Sequence, residues 1–143
     1  MFKSRRLFLF ASAVLAPALC AAGTMPDIAN GKATFSTNCA VCHSIQVKGG
    51  PAEGPNLRGL IGREAGSQPA FSKYSAALKA STLIWSTTVL DEFLANPMAM
   101  VPGTIMPLRI QDDKTRADVI AYLATLKQHD ASDPPSPPSL PNG

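Results

Sequence analysis

Apolar residues fall at the spacing of one helical face in two stretches at opposite ends of the chain. After Pro26 and Asp27, which suit a first turn, come Ile28, Gly31 and Phe35, with Ala33 beside them. This predicts a helix that ends at Asn38. Near the other end, Val119, Ile120, Tyr122, Leu123 and Leu126 give an amphipathic face to a helix starting at Asp112 or Asp113 and running to about Lys127. Shorter helices are expected at Lys73–Lys79 and Thr88–Ala95. The second has Thr88 and Asp91 in capping-box spacing and Pro97 to stop it. Ile45 to Pro69 is rich in Gly and Pro, and Met98 to Ile110 reads as loop around a Pro102-Gly103 turn. The pattern is all-α with long irregular connections. Such loops fit a compact domain when something other than the chain fills its middle.

The first residues follow another logic. Lys3, Arg5 and Arg6 precede an apolar run from Leu7 to Leu15 and a small-residue exit at Ala21-Ala22-Gly23, the layout of an export signal cleaved after Ala22 or Gly23. The run is short for a membrane anchor and is broken at Pro17. Leu19 before Cys20 argues against a lipidated N-terminus, and Ser4-Arg5-Arg6-Leu7-Phe8-Leu9 resembles a twin-arginine export signal. Without this segment, 10 of the 13 basic residues face all 10 acidic ones, so the formal charge of +3 disappears. A neutral domain gives no footing for nucleic acid or an anionic membrane. From Asp130 onward the chain is mostly Pro, Ser and Asp, too poor in apolar surface to offset its ordering entropy. The expected organisation is a signal at 1–22, one domain at 23–129 and a disordered tail at 130–143.

Cys39-Ala40-Val41-Cys42-His43 is a Cys-x-x-Cys-His pattern. Two thiols at this spacing add to the two vinyl groups on one porphyrin edge, and the adjacent imidazole then lies under the iron as a ligand. A redox disulfide is the first rival, but no strand-turn-helix context precedes the motif. A zinc site is the second, but no second ligand pair exists: the other Cys is Cys20 and the other His is His129. A thioether on the far face of the iron would favour its ferrous state. Met98, Met100 and Met106 are the candidates. Met106 stands out because Pro102-Gly103-Thr104-Ile105-Met106-Pro107 is a stiff setting.

From about Asp27 to Lys127 the chain resembles class I cytochrome c of the mitochondrial and bacterial short-chain type. The resemblance is carried by Cys39–His43, the run Gly54-Pro55-Asn56-Leu57-Arg58-Gly59-Leu60-Ile61-Gly62-Arg63, Asn96-Pro97, Val101–Met106 and Asp118-Val119-Ile120-Ala121-Tyr122-Leu123, in the family's order. It implies the cytochrome c fold: three main helices, short helices and loops wrapped around one haem c attached through Cys39 and Cys42. It further implies His43 and Met106 as the iron ligands, and a Pro55 carbonyl that accepts from the ring of His43. Arg63, Tyr74, Trp85 and Thr104 match positions around the haem propionates. Gly31, Phe35, Val119 and Tyr122 match the crossing of the first and last helices.

Three positions depart from the family pattern. Phe93 replaces a common Tyr near the sulfur, Ala77 a frequent Asn, and Ile105 the usual Lys before the ligand Met. The resemblance implies a monomeric periplasmic one-electron carrier. Its partners would be a cytochrome bc complex, a terminal oxidase or a periplasmic dehydrogenase. A peroxidase or a gas-binding sensor would need an open iron position, which a Met106 ligand closes.

Overall fold

The computed structural model describes residues 25–48 and 53–127; the expected signal, the expected tail, Cys20 and His129 lie outside them. Helix α1 spans Ile28–Thr34. The Asp27 carboxylate caps it, accepting from the backbone N–H groups of Ala29 at 2.9 Å and Asn30 at 3.1 Å. The helix does not stop at Asn38. It widens into a π-helical turn, Phe35–Cys39, where Ala40 N donates to Phe35 O at 2.9 Å. The hydroxyls of Ser36 and Thr37 reach back to the carbonyls of Lys32 and Ala33, competing for acceptors that regular winding uses. The widened turn carries the helix through Cys39.

Helices α2 (Ala76–Ala80), α3 (Thr87–Ala95) and α4 (Pro97–Met100) are short, and α5 covers Asp113–Thr125. Three boundaries differ from the expectation. Helix α2 begins three residues after Lys73 because Ser75 caps it, its hydroxyl accepting from Leu78 N at 3.2 Å. The cap of α3 is Ser86, which accepts from Val89 N at 3.1 Å, and not Thr88. Pro97 ends α3 but also opens α4 in a stretch expected to be loop. A missing N–H costs nothing at a first helical position, and Asn96 caps the new turn through Ala99 N. No strand occurs among the described residues; Glu64 and Ile84 form one isolated bridge. The all-α expectation holds.

The frame is the crossing of α1 and α5. A Cβ on Gly31 would run into the backbone carbonyl of Asp118, so only glycine lets the helices approach this closely. Phe35 and Tyr122 pack across the contact with ring centroids 5.8 Å apart. Beside them lies a buried carboxylate. Asp118 accepts from Asp27 N at 2.7 Å, Asn30 Nδ2 at 2.7 Å and Lys114 Nζ at 2.8 Å, so its burial leaves it fully paired. Farther up α5, buried Arg116 donates from Nε to Asp91 at 2.8 Å and from Nη1 to the carbonyls of Ile110 and Gln111 at 3.0 Å. It ties α5 to α3 and to the end of the loop that carries Met106.

Candidate functional site

The remaining segments close around one cavity of about 470 Å³. Its walls come from the Cys39–His43 turn, the loop through Gly54 and Pro55, the segment from Phe71 to Leu78, α3, the loop from Thr104 to Leu108, and α5. Every residue expected at the site lines it: Cys39, Cys42, His43, Pro55, Arg63, Tyr74, Trp85, Thr104 and Met106. Neither Met98 nor Met100 does. Met98 is exposed, and Met100 packs against the core from outside.

His43 is the best-fixed group. Its Nδ1 lies 2.8 Å from the Pro55 carbonyl, so that nitrogen carries the proton and donates, which leaves Nε2 with a free lone pair. Burial pulls the pKa of His43 down, with the bond to Pro55 opposing, so the ring stays neutral near pH 7. The loop behind it is pinned by Gly54 N to Cys42 O and Leu57 N to Ser44 O, both 2.8 Å. A Cβ on Gly54 would sit 2.5 Å from His43 Cε1 and 2.6 Å from Nδ1, so the ring occupies the space a side chain would need. Gly54 heads the Gly54–Arg63 run and its Gly-Pro pair marks a turn, but nothing in the local pattern announces that the imidazole packs against it.

The two thiols differ. Cys39 is buried and its pKa is pushed up to about 11 by that burial, whereas Cys42 is exposed. Thr104 is buried, and its hydroxyl oxygen accepts from Met106 N at 3.4 Å, which braces the loop under the sulfur. Trp85 meets Phe93 edge-on at 5.0 Å, and both form the apolar wall. Arg63 donates to the carbonyls of Asn56 at 2.8 Å and Arg58 at 3.2 Å. Burial lowers its pKa, with Tyr74 opposing. The Tyr74 hydroxyl accepts from Gln68 N at 3.3 Å and keeps its own proton to donate.

This donor set fits a haem: a large apolar space, two thiols, a neutral imidazole with a free nitrogen, a thioether, and polar groups for carboxylates. Among the described residues no cluster of three or more His, Cys, Asp or Glu could hold a bare metal ion. No described helix is long and apolar enough to cross a membrane.

Comparison with known proteins gives the same answer. The family profile described as cytochrome c matches residues 28–127. Cytochrome c of Sesamum indicum is 42% identical over 98 residues, covering 68% of this chain and 87% of that protein. Cytochrome c2 of Rhodopila globiformis is 42% identical over 102 residues, covering 71% and 94%. The solved structure of cytochrome cH from Methylobacterium extorquens superposes with a TM-score of 0.62 at 40% identity, covering 69% of this chain and 98% of that one. A cavity built for a covalently attached haem c, in a chain that matches these proteins across its helical core, has one meaning: the chain belongs to the cytochrome c family, electron carriers rather than enzymes.

Proposed function

We propose that the chain is an exported, monomeric, single-haem carrier of the periplasm, with Cys39 and Cys42 as the attachment thiols and His43 and Met106 as the two iron ligands. The single observation that carries this reading is that, of the three downstream methionines, Met106 alone shares the cavity with the Cys-x-x-Cys-His turn. When bound, the haem supplies reversible uptake of one electron at its iron. The protein's residues set the conditions for it. The Pro55 carbonyl holds the ring of His43 in one orientation and makes its free nitrogen a better donor. Thr104 braces the backbone of Met106.

Arg63 has no ion pair among the described residues and spends its donors on carbonyls, so its charge is available to the haem carboxylates. The hydroxyls of Tyr74 and Thr104 and the indole N–H of Trp85 are further donors for those carboxylates among the residues that line the cavity. With residues 1–22 as an export signal and 23–129 as the carrier domain, the partners are redox proteins facing the periplasm. A cytochrome bc complex, a terminal oxidase and a periplasmic dehydrogenase are the candidates.

Optical spectroscopy tests the ligand pair. The oxidised protein is expected to show a low-spin spectrum with a weak far-red band, and Met106→Ala is expected to lose that band. A high-spin wild-type spectrum, or immediate uptake of added carbon monoxide by the reduced wild type, would indicate an open iron position. Either result favours a peroxidase or gas-binding function and ends the carrier reading.

A further inference from the structure

We propose that the mouth of the haem cavity is an uncharged apolar docking surface, and that its occupant is a redox protein whose own contact patch is apolar and carries no net charge. The inference rests on the carrier reading and specifies the chemistry of its partner. Val41 and Ile105 both line the cavity, yet they are 72% and 69% exposed. One comes from the Cys-x-x-Cys-His turn and the other from the loop of Met106. Two unrelated segments thus present large aliphatic side chains to solvent at the same opening.

The charged side chains at that opening are already engaged within the chain. Apart from His43, the ionic side chains lining the cavity are Glu53, Arg63 and Lys73. Glu53 and Lys73 are 20 positions apart in sequence, and their side chains meet with Nζ 3.5 Å from Oε1, both exposed. Arg63 is half-buried and directed at two backbone carbonyls.

A charged partner patch placed here would lose water without finding a free counter-charge, which is costly. An apolar patch would cover Val41 and Ile105, and burying apolar area is favourable at roughly 25 cal/mol per Å². Interface centres are depleted in charge for this reason. Docking of this kind has little long-range steering and therefore little dependence on salt.

The test follows the oxidation of the full, reduced haem protein by membranes of its own source cells. Salt is raised from about 10 mM to about 500 mM, which shortens the screening length from about 30 Å to a few Å. The wild-type rate is expected to change by less than about twofold. Val41→Ser and Ile105→Ser are each expected to slow oxidation at low protein concentration by about threefold or more, with an unaltered absorption spectrum. Ile105→Lys is expected to introduce a salt dependence that the wild type lacks.

A tenfold fall in the wild-type rate with salt overturns the docking proposal and leaves the carrier reading intact. Serine variants that are oxidised as fast as wild type do the same. A wild-type dimer that Val41→Ser dissociates gives the surface to a second copy and also overturns it. No oxidation at any salt, by membranes that do oxidise an added quinol, ends both readings.

Discussion

Where α1 crosses α5 the chain fills its own interior, whereas the loops from His43 to Tyr74 and from Val101 to Ile110 close around a space they do not fill. At the crossing, Phe35 is 4% and Tyr122 8% exposed, Gly31 brings two backbones into contact, and the buried carboxylate of Asp118 is paired on every side. Among the described residues these loops hold no helix and one isolated bridge, at Glu64, and they border the 470 Å³ space. One region is stabilised by chain-on-chain packing and the other by a group that the chain must acquire. The buried carboxylate and its three partners lie at the first; the chemistry gathers at the second.

The largest expected effect comes from taking the group away. The apolar walls of the cavity, Trp85, Leu90 and Phe93 among them, then face water across a 470 Å³ space. Burying such walls is a large share of what stabilises a small domain, whose whole stability is about 5–15 kcal/mol. The double variant Cys39→Ser, Cys42→Ser, which lacks covalent haem, is therefore expected to show no cooperative thermal transition by circular dichroism. A sharp transition in that haem-free variant would show that the loops close without the haem and that the contrast between the regions is false.

The two tight glycines separate the regions at smaller cost. Gly31→Ala forces a methyl against the Asp118 carbonyl, a backbone atom that cannot step aside. Overpacking of this sort costs about 2 kcal/mol or more, and urea unfolding of the haem-loaded variant is expected to register it with an unchanged visible spectrum. Gly54→Ala presses instead on the His43 ring, which is a side chain and is able to tilt. The expected loss of stability is about 1 kcal/mol, but the reduction potential and the spectrum are expected to shift if the ring is the iron ligand proposed above. If Gly54→Ala left both unchanged while Gly31→Ala altered the spectrum, the division of labour would be reversed.

The same contrast explains what was legible in the sequence. The crossing is written in short-range pattern: Ile28, Gly31 and Phe35 on one helix and Val119, Tyr122 and Leu123 on the other follow helical spacing. Cys39, Cys42 and His43 were legible because covalent attachment demands adjacency. Met106 was set apart from Met98 and Met100 by its stiff, proline-flanked setting and by the family resemblance, and of the three it alone lines the cavity. Asp118 was not legible as a buried acid, since nothing local announces that Asn30, Asp27 N–H and Lys114 will converge on it from both helices. Nor was the pairing of Glu53 with Lys73, which depends on how two loops fold over the cavity. The π-helical turn was hidden for a related reason: the hydroxyls of Ser36 and Thr37 act on carbonyls one turn back, an effect that apolar periodicity does not record.

Asp118 offers the finest test of the self-sufficient region, because its contribution can be switched by pH alone. Bonds from Lys114, then Asn30, then the Asp27 N–H hold its pKa at about 2, below the ordinary 3.8. A folded-state pKa below the unfolded value means that ionised Asp118 stabilises the native state above pH 3.8. That contribution drains away as pH falls from 3.8 toward 2. Asp118→Asn keeps the shape of the side chain but removes the charge, so Lys114 loses its partner. The variant is expected to melt at a lower temperature than wild type at neutral pH. Its melting temperature should then fall less steeply than that of wild type across the window between pH 3.8 and 2, with the two curves converging at the acid end. Parallel curves through that window would show that the buried carboxylate is not what links the two helices, and would leave Gly31 and the aromatic pair to carry the crossing alone.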